Sequence, residues 1–167
     1  MRRLAALAAA LALPALGGCG FTPLYATPGV VQGLTRVDVI APEGRIGYLL
    51  RQDLDDALGH EQGASPVYRL EMTIEQNRVA HGLTVNAVAQ RYEIDLTVSY
   101  KLIEVATGAV AFQGHAVSEI SYDSAAQPYA GIAARQSTQE KAALDVADKI
   151  QIDLAAWMAT RRVGAGS

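Results

Sequence analysis

Cysteine is nearly absent from this 167-residue chain, which contains one residue of this type, Cys19. A single cysteine excludes an intramolecular disulfide and leaves no thiolate cluster that could hold a metal. Histidine is also scarce, and His60, His81 and His115 do not form the His-x-x-x-His pair of a helical zinc site. The sequence therefore predicts a fold that is stabilised by its apolar core, without a metal or another cofactor.

Charged residues are few as well: they make up 19% of the chain, and the formal net charge is -3. This slightly acidic balance argues against a broad nucleic-acid-binding surface, which needs an excess of Lys and Arg. The chain also lacks a Gly-x-Ser-x-Gly nucleophile elbow and a glycine-rich phosphate loop. These absences favour a protein that is not an enzyme, although a Ser-His-Asp site assembled from distant residues stays open.

The single cysteine follows an N-terminal segment that has the three parts of a bacterial secretion signal. Two arginines give a positive start, an apolar run extends from Leu4 to Leu13, and Leu16-Gly17-Gly18-Cys19 forms a lipobox. The apolar run is too short to span a bilayer. We therefore predict that residues 1–18 are a signal peptide and that Cys19 becomes the first residue, carrying a diacylglycerol and an N-acyl chain.

The alternative is an ordinary signal peptide that is cut elsewhere and followed by a buried cysteine. Gly20 stands where an aspartate usually retains a lipoprotein in the inner membrane, so the sequence favours the outer membrane. Two or three acyl chains hold a protein firmly, because each buried methylene contributes about 0.8 kcal/mol. We therefore expect residues 19–34 to be a lipidated tether on the periplasmic side of the outer membrane.

The rest of the chain has the length and patterning of one domain, which we place at residues 35–163, with a flexible tail at 164–167. Residues 36–41 alternate like a short strand. From Arg45 onward, apolar residues recur at helical spacing until Gly59 ends the helix.

Three longer segments alternate between apolar and polar residues, which predicts strands with one buried and one wet face. A turn at Ala106-Thr107-Gly108 joins the last two strands into an antiparallel hairpin. Residues 80–88 are predicted to form an exposed loop between the first strand and this hairpin. The predicted inward residues are Tyr68, Leu70, Met72, Ile74, Tyr92, Ile94, Leu96, Val98, Tyr100, Leu102, Val110, Phe112, Ala116, Ile120 and Tyr122.

After a break at residues 123–128, the chain to about Arg162 is predicted to be a helix that is long enough to cover the sheet. Its polar flank from Arg135 to Lys141 is a candidate partner-binding surface. Together the elements predict a two-layer α+β sandwich, with about four mostly antiparallel strands and two helices on one face. The apolar stripe of the final helix contains Ala143, Val146, Ala147, Ile150, Leu154, Trp157 and Met158.

Several short motifs occur in one order along nearly the whole chain. They are Cys19-Gly20-Phe21-Thr22-Pro23-Leu24-Tyr25, Arg91-Tyr92-Glu93, the Thr107-Gly108 turn, Ser121-Tyr122 and the alanine-rich final helix. Together they resemble the LptE family, the lipopolysaccharide-assembly lipoproteins of the outer membrane. The resemblance implies a non-enzymatic protein that sits inside a large β-barrel partner, LptD, assists its assembly and contacts lipopolysaccharide during export.

Contact with lipopolysaccharide requires cations, since a lipid A phosphate is a dense anion that Arg or Lys on a polar strand face can hold. The candidate lipopolysaccharide-binding residues are Arg78, Arg91 and Lys101, in or beside the central loop and hairpin. Taken singly, each is better explained as a solvated strand residue. Its acidic partner would then be Glu75, Glu93 or Asp95.

Two other classes of lipid-anchored protein stay open. One is the auxiliary lipoprotein of an ABC-type phospholipid-trafficking system, which shares a lipobox, a compact α+β domain and the lack of a catalytic motif. The other is a lipid-anchored periplasmic hydrolase, which requires a nucleophile and a histidine in contact. Tyr92, Tyr100 and Tyr122 are interpreted as core residues with hydroxyls at the rim, so no sugar site is predicted.

Overall fold

The computed structural model describes residues 30–61, 63–83, 89–123 and 128–165. The predicted signal peptide, Cys19 and the first part of the predicted tether lie outside these ranges. In chain order, the elements are α1 (Val30–Leu34), β1 (Val37–Ile40), α2 (Arg45–Leu58), β2 (Tyr68–Leu83), β3 (Ala89–Glu104), β4 (Val110–Asp123) and α3 (Pro128–Ala165).

The four strands form one sheet in the order β1-β2-β3-β4. Strand β1 is parallel to β2, because helix α2 carries the chain back between them, and the other neighbours are antiparallel. The β3–β4 hairpin closes at Gly108, whose φ of 70° suits glycine. The predicted α+β sandwich is thus confirmed, with a mixed four-stranded sheet.

The core lies between the sheet and the helices on one of its faces. Leu50 and Leu54 of α2 and Ile150 and Leu154 of α3 are fully buried, and each such side chain contributes about 1.5–3 kcal/mol by burial. The predicted alternation of β2 and β3 is confirmed. The buried sheet residues include Leu70, Met72, Ile94, Leu96, Val98, Tyr100, Leu102 and Ala116.

One predicted inward residue, Val110, was placed on the wrong face. Leu102 pairs with Phe112 but the next residue, Ile103, pairs with Val110, so β4 has one extra residue at Ala111. This bulge reverses the phase of the strand, because successive side chains point to opposite faces. Val110 is consequently 52% exposed.

Three predicted boundaries also differ from the structure, one of them at the C-terminal end, where residues 164–165, predicted as tail, belong to α3. Residues 30–34, predicted as tether, form α1, whose Val30 and Leu34 are buried in the core. Residues 80–83, predicted as loop, are the end of β2 and pair with β3. The folded domain therefore begins by Val30, and the remaining predicted loop residues, 84–88, lie outside the described ranges.

A hydrogen bond ties the middle of the sheet to α3. The Tyr100 hydroxyl donates to Asp153 Oδ2 over 2.6 Å, and burial together with this carboxylate raises the pKa of Tyr100. The tyrosine ring passes directly over Gly114 on β4, where a Cβ atom would lie 2.5 Å from its hydroxyl oxygen. Glycine is therefore required at position 114, because the Cβ atom of any other residue would collide with the aromatic side chain of Tyr100.

Carboxylates crowd the contact between α2 and α3, and this predicts a pH-dependent stability effect. Burial, followed by the charges of Asp56, Asp148 and Glu140, raises the pKa of Asp53. A raised folded-state pKa means that ionised Asp53 destabilises the fold, and that this penalty disappears as pH falls below the unfolded-state pKa of about 3.9. We expect Asp53→Asn to raise the melting temperature at pH 7 but not at pH 3.

Asp145→Asn is the control, because it should change the melting temperature in the opposite direction. Its carboxylate accepts a hydrogen bond from Lys149 Nζ over 2.8 Å, which lowers the pKa of Asp145. Asp145→Asn should therefore lower the melting temperature at pH 7 and lose this effect at low pH, where the wild-type carboxyl is also neutral. Equal effects of both substitutions at pH 7 would contradict these assignments.

Candidate functional site

The face of the sheet opposite the helices is uncovered in the part of the chain that the structure describes. Odd-numbered residues of β2 and β3 point to this face, as the pairing register shows, and most of them are polar. Strands of 14 to 16 residues make the face roughly 50 Å long. We call it the outer face; β2 contributes Arg69, Glu71, Thr73, Glu75, Asn77, Val79 and His81, all exposed.

Arg91 lies on the outer face, and its acidic partner is not one of the three that were predicted from the sequence. Its Nε donates to Asp123 Oδ1 over 3.0 Å, across the β3–β4 pair. The two side chains are 59% and 78% exposed, so this ion pair adds little stability. Arg91 can therefore exchange Asp123 for an anionic ligand at small cost to the fold.

Arg78 does not lie on the polar face where it was expected. It pairs with Ile94 in the register, so it belongs to the face that carries the helices. Its guanidinium lies 4.7 Å from the centre of the Tyr92 ring, and Tyr92 stacks on Tyr122 with ring centres 5.6 Å apart. Arg78 is nevertheless exposed, so its cationic head is accessible from the edge of this stack.

Lys101 lies on the outer face near the other end of the sheet. Its pairing partner on β2 is Glu71, and Gln113 is its partner on β4. These residues line a shallow groove of about 580 Å³, together with His115 and Ser99. The groove contains an anionic side chain, Glu71, as well as the cationic Lys101, so it does not favour an anionic ligand.

The structure does not bring the three predicted cations into one site. Arg91 and Lys101 share a face but stand ten residues apart on β3, which is about 33 Å. Arg78 and Arg91 lie at the same end of the sheet on opposite faces. We call this end, formed by residues 76–83, 91–95 and 119–123, the distal end.

The distal end also contains a group that sequence reasoning missed, the stack of Arg78, Tyr92 and Tyr122. The tyrosines were interpreted as core residues, and this is confirmed for Tyr100, which is 2% exposed. Tyr92 and Tyr122 are only half-buried. The sequence pattern places Tyr92 and Tyr122 on the same face of two neighbouring strands. Only the pairing register shows that they lie directly opposite each other.

The histidines test the hydrolase alternative. His81 Nε2 lies 3.5 Å from Glu93 Oε1, and the Ser121 hydroxyl donates to Glu93 Oε2 over 3.2 Å. The carboxylate thus stands between serine and histidine, whereas a nucleophile must donate to the histidine itself. His60 instead contacts the Val37 carbonyl oxygen through Nδ1.

Metal-binding clusters and membrane-spanning helices are both absent from the described ranges. No group of three His, Cys, Asp or Glu side chains is placed there to hold a metal ion. None of the helices in these ranges is both long and apolar enough to cross a membrane.

Comparisons with known proteins agree with this fold. The profile of the family LptE: Lipopolysaccharide-assembly matches residues 32–154. A protein from Caulobacter crescentus CB15, described as a lipoprotein, is 45% identical with a TM-score of 0.70; the match covers 80% of this chain and 97% of that one. No curated protein matches the chain.

Two more distant structures share the fold alone. The rare lipoprotein B from Shewanella oneidensis is 14% identical, with a TM-score of 0.54, over 78% of this chain and 97% of that one. Lipoprotein B from Nitrosomonas europaea is 16% identical, with a TM-score of 0.53, over 74% and 84%. Because the family profile spans most of the described domain, this chain belongs to the LptE family of lipopolysaccharide-assembly proteins.

Proposed function

We propose that this protein is a non-enzymatic outer-membrane lipoprotein that sits inside an LptD-type β-barrel. In this role it assists barrel assembly and takes part in the transport and insertion of lipopolysaccharide. Cys19 carries the acyl chains, and the domain is held on the periplasmic side of the membrane. Membership of the LptE family supports the process, and the shape and polarity of the domain support the location inside a barrel.

The observation that carries the proposal is the uncovered outer face. A sheet in an ordinary two-layer domain can be wet on one side, but here the wet face is roughly 50 Å long, which exceeds the height of a bilayer core. The lumen of a large outer-membrane barrel is polar. A polar sheet face matches such a wall, because polar groups on the two surfaces can pair with each other or with water.

Site-specific photocrosslinking tests this arrangement. A domain inside a barrel is surrounded by it, so probes on opposite surfaces must reach the same partner. We expect crosslinks to one β-barrel protein both from Ser99 on the outer face and from Leu144 on α3, which is 53% exposed. Crosslinks from one surface only, or to an ABC-system component, would contradict the proposal and favour the phospholipid-trafficking alternative.

Lipopolysaccharide binding is proposed for the distal end, where Arg78 and Arg91 lie within about 10 Å along the strands. We expect the double substitution of both arginines to glutamate to weaken lipopolysaccharide binding on the order of ten-fold or more, since charge-assisted hydrogen bonds contribute about 1.5–3 kcal/mol. Surface plasmon resonance with immobilised lipopolysaccharide measures this change.

Arg69→Glu is the matched control, because Arg69 is an exposed arginine on the outer face at the opposite end of β2. Neither set of substitutions should unfold the domain, since exposed ion pairs and cation–aromatic contacts are weak. Unchanged binding in the double variant, or an equal loss in Arg69→Glu, would reject the distal end as the binding site.

A further inference from the structure

Strand β2 has one edge that is uncovered along most of its length in the described ranges. The opposite edge pairs with β3 almost from end to end, whereas β1 pairs only with Tyr68–Glu71. Beyond Glu71, the described strands therefore cover β2 on one side only. Residues 75–80 are exposed, so this part of the edge is accessible to another chain.

The direction of the backbone groups along β2 follows from a contact on β4. Lys149 Nζ donates to the Val117 carbonyl oxygen over 2.6 Å, so this carbonyl points away from β3. Val117 pairs with Thr97, and Thr97 pairs with Glu75. Because backbone directions alternate along antiparallel strands, odd-numbered residues of β2 bond to β3. Even-numbered residues point their N–H and C=O groups to the uncovered edge.

Tyr68 confirms this alternation, because its N–H donates to the Arg36 carbonyl on the β1 side. Farther along the strand, a hydrogen bond of 3.3 Å joins the Gln139 and Gln76 side chains and leaves the backbone of β2 available. In the described ranges, no other hydrogen bond reaches this part of the edge. The even-numbered residues with outward backbone groups are Ile74, Gln76, Arg78 and Ala80.

The two outer edges of the sheet differ in their protection against pairing. On β4, Lys149 blocks the middle of the edge by binding the Val117 carbonyl. On β2, residues 74–80 contain no lysine or proline, and they pair with β3 in one continuous register. The cation of this segment, Arg78, is turned toward the Tyr92 ring on β3. An edge without such protection pairs readily with another extended chain.

We propose that residues 74–80 of β2 bind an extended segment of the barrel protein as an added strand of the sheet. This inference rests on the proposed function, which places the domain inside the barrel. The wall strands of a closed barrel bond to one another, so the segment is a loop that folds into the lumen. The outward N–H and C=O groups of β2 provide the affinity, as in other complexes formed by strand addition.

The side chains along the edge define the chemistry of this segment. Glu75 points to the outer face and takes part in none of the ion pairs of the described residues. Ile74 points to the helix face and is half-buried against the core. Opposite charges and apolar side chains on neighbouring strands stabilise their pairing. The added strand should therefore carry Lys or Arg beside Glu75 and an apolar residue beside Ile74.

Amide hydrogen exchange in the free full-length protein and in its barrel complex tests this pairing. The amides of Gln76, Arg78 and Ala80 should exchange at least about ten-fold more slowly in the complex, since a ladder bond must open before exchange. Mass spectrometry with residue-level fragmentation measures the rates. The outward amides of Glu119 and Ser121 on β4 are the matched control and should exchange at the same rate in both samples.

Unchanged exchange along β2 in the complex, or equal protection at both edges, would overturn the inference. Protection that is already present in the free protein would overturn it as well, because another segment of this chain would then occupy the edge.

Gln76→Pro tests the same pairing by removing one outward N–H without breaking a bond to β3. The domain should stay folded, because proline is tolerated where an edge N–H faces outward. We expect the amount of co-purifying barrel to fall about ten-fold. Gln76→Ala loses the same side-chain bond to Gln139 but keeps the N–H, and Glu119→Pro places the same ring on the β4 edge. Both controls should recover the barrel at the wild-type level, and such recovery with Gln76→Pro would reject the added strand.

The wild-type sample separates this inference from the proposed function. If the wild-type protein recovers no barrel, the proposed function fails and the pairing fails with it. If it recovers the barrel while β2 stays unprotected, only the pairing is rejected. Light scattering on the purified protein tests the other occupant, a second copy of this chain. We expect a monomer; a dimer that Gln76→Pro converts to monomer would assign the edge to self-association and overturn the inference.

Discussion

Gly47→Ala is expected to lower the free energy of unfolding by about 3 kcal/mol or more, among the largest effects of any single methyl addition in the domain. Gly47 is buried in α2, and a Cβ atom there would lie 1.9 Å from the carbonyl oxygen of Pro42. That oxygen belongs to the backbone of the β1–α2 connection, so it cannot move aside as a flexible side chain would. Thermal unfolding followed by circular dichroism measures the loss.

Gly131→Ala is the matched control for this prediction. Gly131 also lies in an α-helix, but a Cβ atom there meets no heavy atom within 4 Å. Alanine should stabilise α3 by up to about 1 kcal/mol, because it loses less backbone entropy than glycine. If Gly47→Ala behaved like Gly131→Ala, the close approach of the β1–α2 connection to α2 would be wrong.

Cys19→Ala is expected to abolish the direct attachment of the protein to lipid, so that only the proposed barrel partner can hold it at the outer membrane. One acyl chain binds a bilayer with an association constant of only about 10⁴ M⁻¹, so firm attachment depends on two or three chains on this residue. The substituted protein should lose the mass of its acyl groups and, once purified away from the barrel, should no longer float with lipid vesicles. Intact-mass spectrometry and sucrose-gradient fractionation measure these two changes.

Gly20→Ala serves as the control for Cys19→Ala, since it changes the next residue and leaves the thiol in place. It should be acylated and should fractionate with the outer membrane. Binding of purified Cys19→Ala to lipid vesicles at the wild-type level, in the absence of the barrel, would show that the lipobox interpretation is wrong and that another segment binds the lipid.

The inward-facing residues of the long strands could be predicted because alternation has a strict period of two. Leu70, Ile94 and Val98 follow this period and are buried. The same rule failed at Val110, because a bulge inserts a residue without leaving a mark in the apolar pattern. Helix α1 was missed because five residues, one of them Gly33, are too few to show helical periodicity.

The candidate site was predictable by residue type but not by position. The polar run Gln76-Asn77-Arg78 shows no apolar alternation, so β2 seemed to end early and the face of Arg78 could not be assigned. The partner of Arg91 depends on the β3–β4 register, which places Asp123 opposite it. Tyr92 and Tyr122 meet for the same reason, and only the folded sheet shows that they form a stack beside Arg78.

The proposal that this protein works as the partner of an outer-membrane barrel can be tested directly. Its most direct test is to extract native membranes with mild detergent, purify the protein through a C-terminal tag and identify what co-purifies in stoichiometric amount. We predict one large LptD-type β-barrel protein. An ABC-type lipid-trafficking complex in its place, or the absence of any stoichiometric partner, would contradict the proposed function.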